Sequence, residues 1–452
     1  MKRLKALSFL FIILLLVSCS NETELIPISE MHTYDVIQTQ VWDTQCVSCH
    51  TSGSTFARQS DLVLTTGESY DQLVGRPPNN KAALEDGLEL LGTEGLPSLF
   101  KSFLWEKLNA NDLEHFYSDH PLYGAIMPLG ADFLTNGELE FIREWIINGA
   151  PKTGQVADVA LLDDETRFEA LPFELLAEPE SGFQFHLGPF EIEPQTDREF
   201  FYYEPPVSDE DIYINQIEIT MRQGSHHFIF YAFEDAIPSV AIPEPLVIRD
   251  LYDENQQPIT KNLIPLLYHE FIAGTQWPRM NYHYPEGVAL KFDAGKGLDL
   301  NAHYANRTDD VMIGEVYGNL HTIPSSEVEH VAEILNLNNQ NFTLPAGKVT
   351  TINKDYFFNE RINIFQLFSH AHEHMTEFKV YHVGGPRDGE LIYISYDWEH
   401  PPILEFDPPH VLEPGEALRL EATYDNWENR DLKFGLRSSD EMMILFGAYY
   451  VD

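Results

Sequence analysis

The chain has 452 residues, is 43% hydrophobic and 12% aromatic, and carries a formal net charge of −44. Such a composition supplies more than one core and excludes a disordered chain. The charge excludes a nucleic-acid binder, which needs a basic face against phosphate. Only three cysteines are present, which leaves no disulfide framework.

In chain order, Lys2, Arg3 and Lys5 precede an apolar run, Leu7 to Val17, that is too short to span a bilayer comfortably. The run closes on Leu16-Val17-Ser18-Cys19, which resembles a bacterial lipobox. The resemblance implies cleavage before Cys19 and lipidation of Cys19. The lipid anchor is then the sole membrane attachment, in the bacterial cell envelope, facing the periplasm or the outer-membrane surface. Residues 1–19 read as the signal segment and 20–33 as a polar tether.

Cys46-Val47-Ser48-Cys49-His50 is Cys-x-x-Cys-His, the attachment signature of c-type haem. The two thiols can add to haem vinyl groups, and His50 is placed to ligate iron. A redox pair would call for a thioredoxin-like context, and a zinc knuckle needs more thiols than remain. Downstream, Met127 offers a second axial ligand, a thioether that raises the potential. Thr135 and Glu138 form a capping box before Leu139, Ile142, Trp145 and Ile146, and Gly149 and Pro151 close the predicted helix. The stretch resembles small bacterial cytochromes c. The expectation is a small all-α cytochrome c domain over 34–152, with one covalently bound haem c that passes electrons. Residues 153–170 are acidic and poorly patterned, and read as a linker.

Beyond it, β-branched and aromatic runs alternate with turn residues, an all-β sandwich pattern. The length suits two sandwiches, over 171–325 and 326–452. Histidines cluster in these runs: His226 and His227, then His303, then His370, His372 and His374 at every second position. A strand would point the last three to one face. Adjacent His226 and His227 would point to opposite faces, so sharing a metal requires a strand end or a bulge. Met442 and Met443 follow near the C-terminus. Imidazole with a thioether suits copper, the sulfur softening the site toward Cu(I). The bland alternative for each histidine is a satisfied structural residue.

Taken in order over roughly 183–450, these segments resemble the copper type II, ascorbate-dependent monooxygenases, the family of peptidylglycine α-hydroxylating and dopamine β-monooxygenases. The His226-His227 pair, His303-Tyr304, His370-x-His372 and Asp440-Glu441-Met442 carry the resemblance. It implies two jelly-roll sandwiches, each holding one of two copper ions. One copper, on His226, His227 and His303, stores an electron. The other, on His370, His372 and Met442, is catalytic: it binds O2 and attacks a substrate C–H bond. His374 is left as a neighbouring polar residue, with Met375 and Met443 as rivals to Met442. Two departures stand out. Phe368, Ile444 and Phe446 occupy positions where the peptide-hydroxylating branch holds its substrate carboxylate. The family's disulfides are also absent. The expected function is therefore hydroxylation of a neutral small molecule. Electrons would come through the haem from an external one-electron donor: a cytochrome, a quinol-linked carrier or an ascorbate-like reductant. The alternatives are a non-catalytic electron-transfer or copper-handling lipoprotein on the same scaffold, and a β-sandwich binding module with structural histidines.

Overall fold

A computed structural model describes residues 27–452, apart from 130, 170–172, 195, 207, 223, 254–256, 307–309 and 436–439. The signal segment and Cys19 lie outside the described residues.

Described residues from Ile28 to Asp163 form helices and no strand longer than a single bridge. A helix opens at Thr33–Ile37 and continues through Gln38–Cys46 with wider turns, ending at Cys46-x-x-Cys49-His50. The helix Asn136–Ile147 forms as its sequence predicts. The Thr135 hydroxyl accepts from the Glu138 N–H, and the Glu138 carboxylate accepts from the Thr135 N–H. Its apolar stripe, including Phe141, Ile142 and Trp145, meets Tyr34, Ile37 and Trp42 in one core.

The expected linker is not one. Val156, Leu161, Leu162 and Phe168 pack against this core, and the Asn136 N–H donates to the Thr166 carbonyl at 2.6 Å. The acidic residues that suggested a tether instead fold tight turns. The Asp158 carboxylate accepts from the Ala160 N–H, and that of Asp164 from the Thr166 N–H.

The rest is built of strands: β1 (Gly182–Ile192), β2 (Thr196–Glu204), β3 (Ile212–Met221), β4 (Ser225–Phe233), β5 (Ile248–Asp250), β6 (His269–Thr275), β7 (Arg279–His283), β8 (Val288–Phe292), β9 (Leu298–Asn306), β10 (Met312–Ile323), β11 (His330–Asn338), β12 (Thr343–Leu344), β13 (Lys348–Phe357), β14 (Ile362–His370), β15 (Met375–Val383), β16 (Leu391–Ser395), β17 (Leu404–Leu412), β18 (Ala417–Asn426), β19 (Leu432–Lys433) and β20 (Ile444–Val451). A nine-stranded sheet runs β1-β10-β3-β8-β11-β20-β14-β17, with β7 on β3. A five-stranded sheet, β5-β2-β9-β4-β6, covers its first half. Phe228, Phe230, Leu300 and Ala302 from the smaller sheet meet Ile217, Ile219, Val316 and Leu320 there. A four-stranded sheet, β13-β18-β15-β16, covers the second half over a separate core that includes Phe378, Leu420, Ile364 and Leu445.

Two cores match the expectation of two sandwiches. Their separation does not, because one sheet passes through both. The junction is a parallel pairing of β8 with β11, Val288 to Leu290 against His330 to Ala332.

The helical region docks mainly on the second half and also touches the first, at Trp277. The Thr55 hydroxyl donates to the Glu373 carboxylate at 2.6 Å, and the Gln59 amide to the Glu373 carbonyl. Lys81 pairs with Glu377 at 2.6 Å, Arg58 lies over the Trp427 ring, and Tyr117 meets Trp277 edge-on.

Candidate metal centre

The pair His226-His227 lies near the start of β4. There Ser225 pairs with Tyr304 and His227 with His303, so His226 is the extra residue of a bulge. The bulge turns His226 onto the face that its neighbour uses. Ala302 and Tyr304 point into the core, which sends His303 and Asn301 to the outer face of the five-stranded sheet. The register lines up Glu199, His303 and His227 across β2, β9 and β4. One ligand atom from each of the three histidines lies within 4.8 Å of the other two.

The hydrogen bonds fix which nitrogens face inward. The Asn301 amide N–H groups go to Glu199 and the Phe200 carbonyl, so its oxygen accepts from His227 Nε2–H at 2.9 Å. His226 Nε2 faces the Glu399 carboxylate at 3.2 Å. The Nδ1 atoms of the two rings then face each other, 3.2 Å apart. Nitrogens at that distance are held together by a shared proton or by a metal cation between them. Oxygen acceptors behind both outer nitrogens are the usual support for imidazole ligands. Burial pushes His227 down to about 3, the His226 charge adding to the effect. Burial likewise raises Glu199 to about 7, against the pull of Asn301 and His226.

The stretch Phe368–Met375 is not the continuous strand that its alternation predicts. β14 ends at His370 and β15 begins at Met375, and the chain crosses between the two sheets in the intervening turn. The backbone N–H groups of His372 and His374 donate to the buried Glu441 carboxylate, at 3.1 and 2.8 Å, instead of to a neighbouring strand. His370 and His372 remain together, ring centroids 5.5 Å apart and nearly perpendicular. His372 Nδ1–H donates to the Asp440 carbonyl at 3.1 Å, which leaves Nε2 for a metal. His374 turns elsewhere, fully buried and stacked on Trp427 at 4.2 Å.

Among the methionines, Met443 packs in the second core and its sulfur accepts from the Asn339 amide. Met375 is in that core too. Met442 is buried yet belongs to no core cluster, and its N–H donates to Glu441. His370 is pushed down to about 3, by burial first and then by the charges of His372, His227 and His226. The two histidine sets therefore lie within electrostatic reach of each other. Phe368 and Phe446 pair across β14 and β20. With Phe271 from β6 they form a stacked aromatic group whose Phe446 ring is 6.4 Å from His370.

In the helical region, His50 Nδ1 lies 3.2 Å from the Leu62 carbonyl. Donation there leaves Nε2 for an axial bond, so His50 fits a haem. Burial lowers His50 and pushes the Cys46 thiol up to about 12. Met127 is held by its N–H to the Lys107 carbonyl at 2.7 Å, and the Lys107 charge reaches His50.

Sequence reasoning missed Asn301, Glu399 and Phe271 as parts of the site, and it placed Glu441 in the Asp440-Glu441-Met442 motif without giving it a role. Asn301 was within reach, two residues before His303 on the same face. Glu399 sits in a loop and carries no periodic signal.

No family model and no curated protein matches the chain. Among solved structures, the major capsid protein P2 of bacteriophage PM2 is 7% identical over 57% of this chain and 98% of its own, with a TM-score of 0.22. PBCV-1 VP54, fitted into a reconstruction of the virophage Sputnik, is 6% identical over 62% and 96%, at 0.21. Likenesses this weak carry no argument.

Proposed function

We propose that the chain is a copper-dependent monooxygenase that hydroxylates a C–H bond of a neutral small molecule with O2. Electrons reach it through a c-type haem held by Cys46, Cys49, His50 and Met127. In this reading a cytochrome c region precedes two jelly-roll halves, and Cys19 anchors the chain by lipid. The observation that carries it is the convergence of His226, His227 and His303 through a bulge, one ligand atom of each within 4.8 Å of the others. Copper bound there and on His370, His372 and Met442 would supply dioxygen and C–H chemistry, and bound haem would supply one-electron transfer.

The chain's own residues do the positioning. Asn301 and Glu399 hold two imidazoles in the ligating tautomer. Glu441 gathers the N–H groups of His372, His374 and Met442. Phe271, Phe368 and Phe446 exclude water and offer apolar surface, where an unpaired substrate carboxylate would be costly. Thr55, five residues after His50, bonds Glu373, next to His372. That contact supports haem as the donor to this site.

The test is metal analysis with oxygen uptake by the full-length protein. Two coppers per chain, one lost in His303→Ala, and uptake stimulated by a neutral aromatic or alkyl compound but not by a glycine-extended peptide are expected. Copper that dialyses away, or that His303→Ala leaves intact, overturns the reading. A second reading, electron transfer or copper handling without catalysis, is favoured by one observation. The apolar cavity beside Phe271 and Phe368 is only about 20 Å³, room for a water. Copper that cycles between redox states with no substrate-stimulated uptake would select it.

A further inference from the structure

His374, Glu373 and Glu428 form a cluster apart from both histidine sets, with one ligand atom from each within 4.8 Å of the others. His374 is fully buried. Its Nδ1 is 3.1 Å from Glu441 Oε1, an acceptor-only carboxylate, so the proton sits on Nδ1. The opposite nitrogen, Nε2, is buried with no hydrogen-bond partner. It faces Glu428 Oε1 at 3.7 Å, too far for a hydrogen bond. A buried nitrogen left unpaired gives up its bonds to water and gains none in return. Two carboxylates in front of it raise that cost, since lone pairs then face lone pairs.

We propose that Glu373, His374 and Glu428 form a third metal site, for a first-row divalent cation of the zinc type. One imidazole and two carboxylates match the mixed nitrogen and oxygen donors such an ion takes, with water completing the shell. Calcium would demand six to eight oxygens. The second oxygens of the two carboxylates are already held. Glu428 Oε2 accepts from Arg430 Nε at 2.6 Å, and Glu373 Oε2 from the Thr55 hydroxyl at 2.6 Å. Each carboxylate is thus aimed and has one oxygen left for the ion. Arg58, over Trp427, and Arg430 are the cations nearby, and they limit how tightly the site binds. The ion would join three segments: the turn after His372, the loop after β18, and, through Glu373, the helix Thr55–Ser60. It would hold the helical region against the β region beside the proposed catalytic ligands without being one of them.

The experiment uses the full-length protein with haem and Cu(I) loaded anaerobically. Zn2+ is then titrated by calorimetry in excess Mg2+, which occupies weak acidic surface sites, and zinc and copper are counted after gel filtration. One Zn2+ per chain is expected, with affinity at least tenfold weaker in Glu428→Gln and Glu373→Gln. Copper content should stay unchanged in both. Zinc-edge X-ray absorption should show a single imidazole. Full-strength zinc binding in Glu428→Gln overturns the proposal. So does the absence of stoichiometric zinc in the parent. The copper count comes from the same samples, so failure of the copper reading is recorded separately.

Discussion

Met442 and Met443 are adjacent, and the fold gives them different work. Met443 fills the second core, so Met443→Ala should cost about 2–5 kcal/mol, as large-to-small core changes do, and leave copper in place. Met442 lies outside the core clusters. Met442→Ala should weaken Cu(I) binding, read by competition with a Cu(I) chelator, with a smaller loss of stability. Glu441 accepts three backbone N–H groups and His374 Nδ1–H. An amide there can satisfy only some of them. Glu441→Gln should lower the melting temperature of metal-free protein and loosen the His370–His372 copper, while copper on His226, His227 and His303 remains. His410 is held down to about 4, by burial first and then by Arg387 and His382, although Glu390 and Glu416 pull the other way. Below the unfolded value of about 6.5 the unfolded chain takes up a proton that the folded chain refuses. Stability from this group is therefore complete above about pH 6.5 and falls as the pH drops toward 4. His410→Gln should flatten that part of the melting-temperature profile.

Elements differ in how much the sequence revealed of them. The helix Asn136–Ile147 was legible because its cap and its period agree locally. Thr135→Ala should cost about 1 kcal/mol, measured by chemical unfolding. The bulge at His226 was legible as a requirement: neighbouring residues cannot share a face in a regular strand, and β4 breaks its register between Ser225 and His227. The three alternating histidines were misread for a related reason. Alternation specifies a face only if the backbone stays paired, and whether it does depends on a residue far away in sequence. Here that residue is Glu441, whose carboxylate replaces a strand partner for His372 and His374. The acidic run before Phe168 was misread because carboxylates that cap turns have the same composition as a solvated tether. Glu399 and Phe271 were invisible for want of any local pattern; only tertiary packing brings them to His226 and Phe446.

At the scale of the whole molecule, the charge of −44 is spread over one folded chain and repels itself. Salt screens such repulsion. The melting temperature should rise as NaCl is raised from about 10 mM to 0.5 M, where the Debye length shortens severalfold. A flat or falling profile would show that local pairs such as Lys81–Glu377 outweigh the general repulsion. The sheet that passes through both cores has a consequence of a different kind. Jaws open about a loop, but strands bonded across β8, β11 and β20 allow no such swing without breaking the ladder. The two halves that carry His227 and His370 are therefore fixed relative to each other, set like a gauge rather than hinged like a bite.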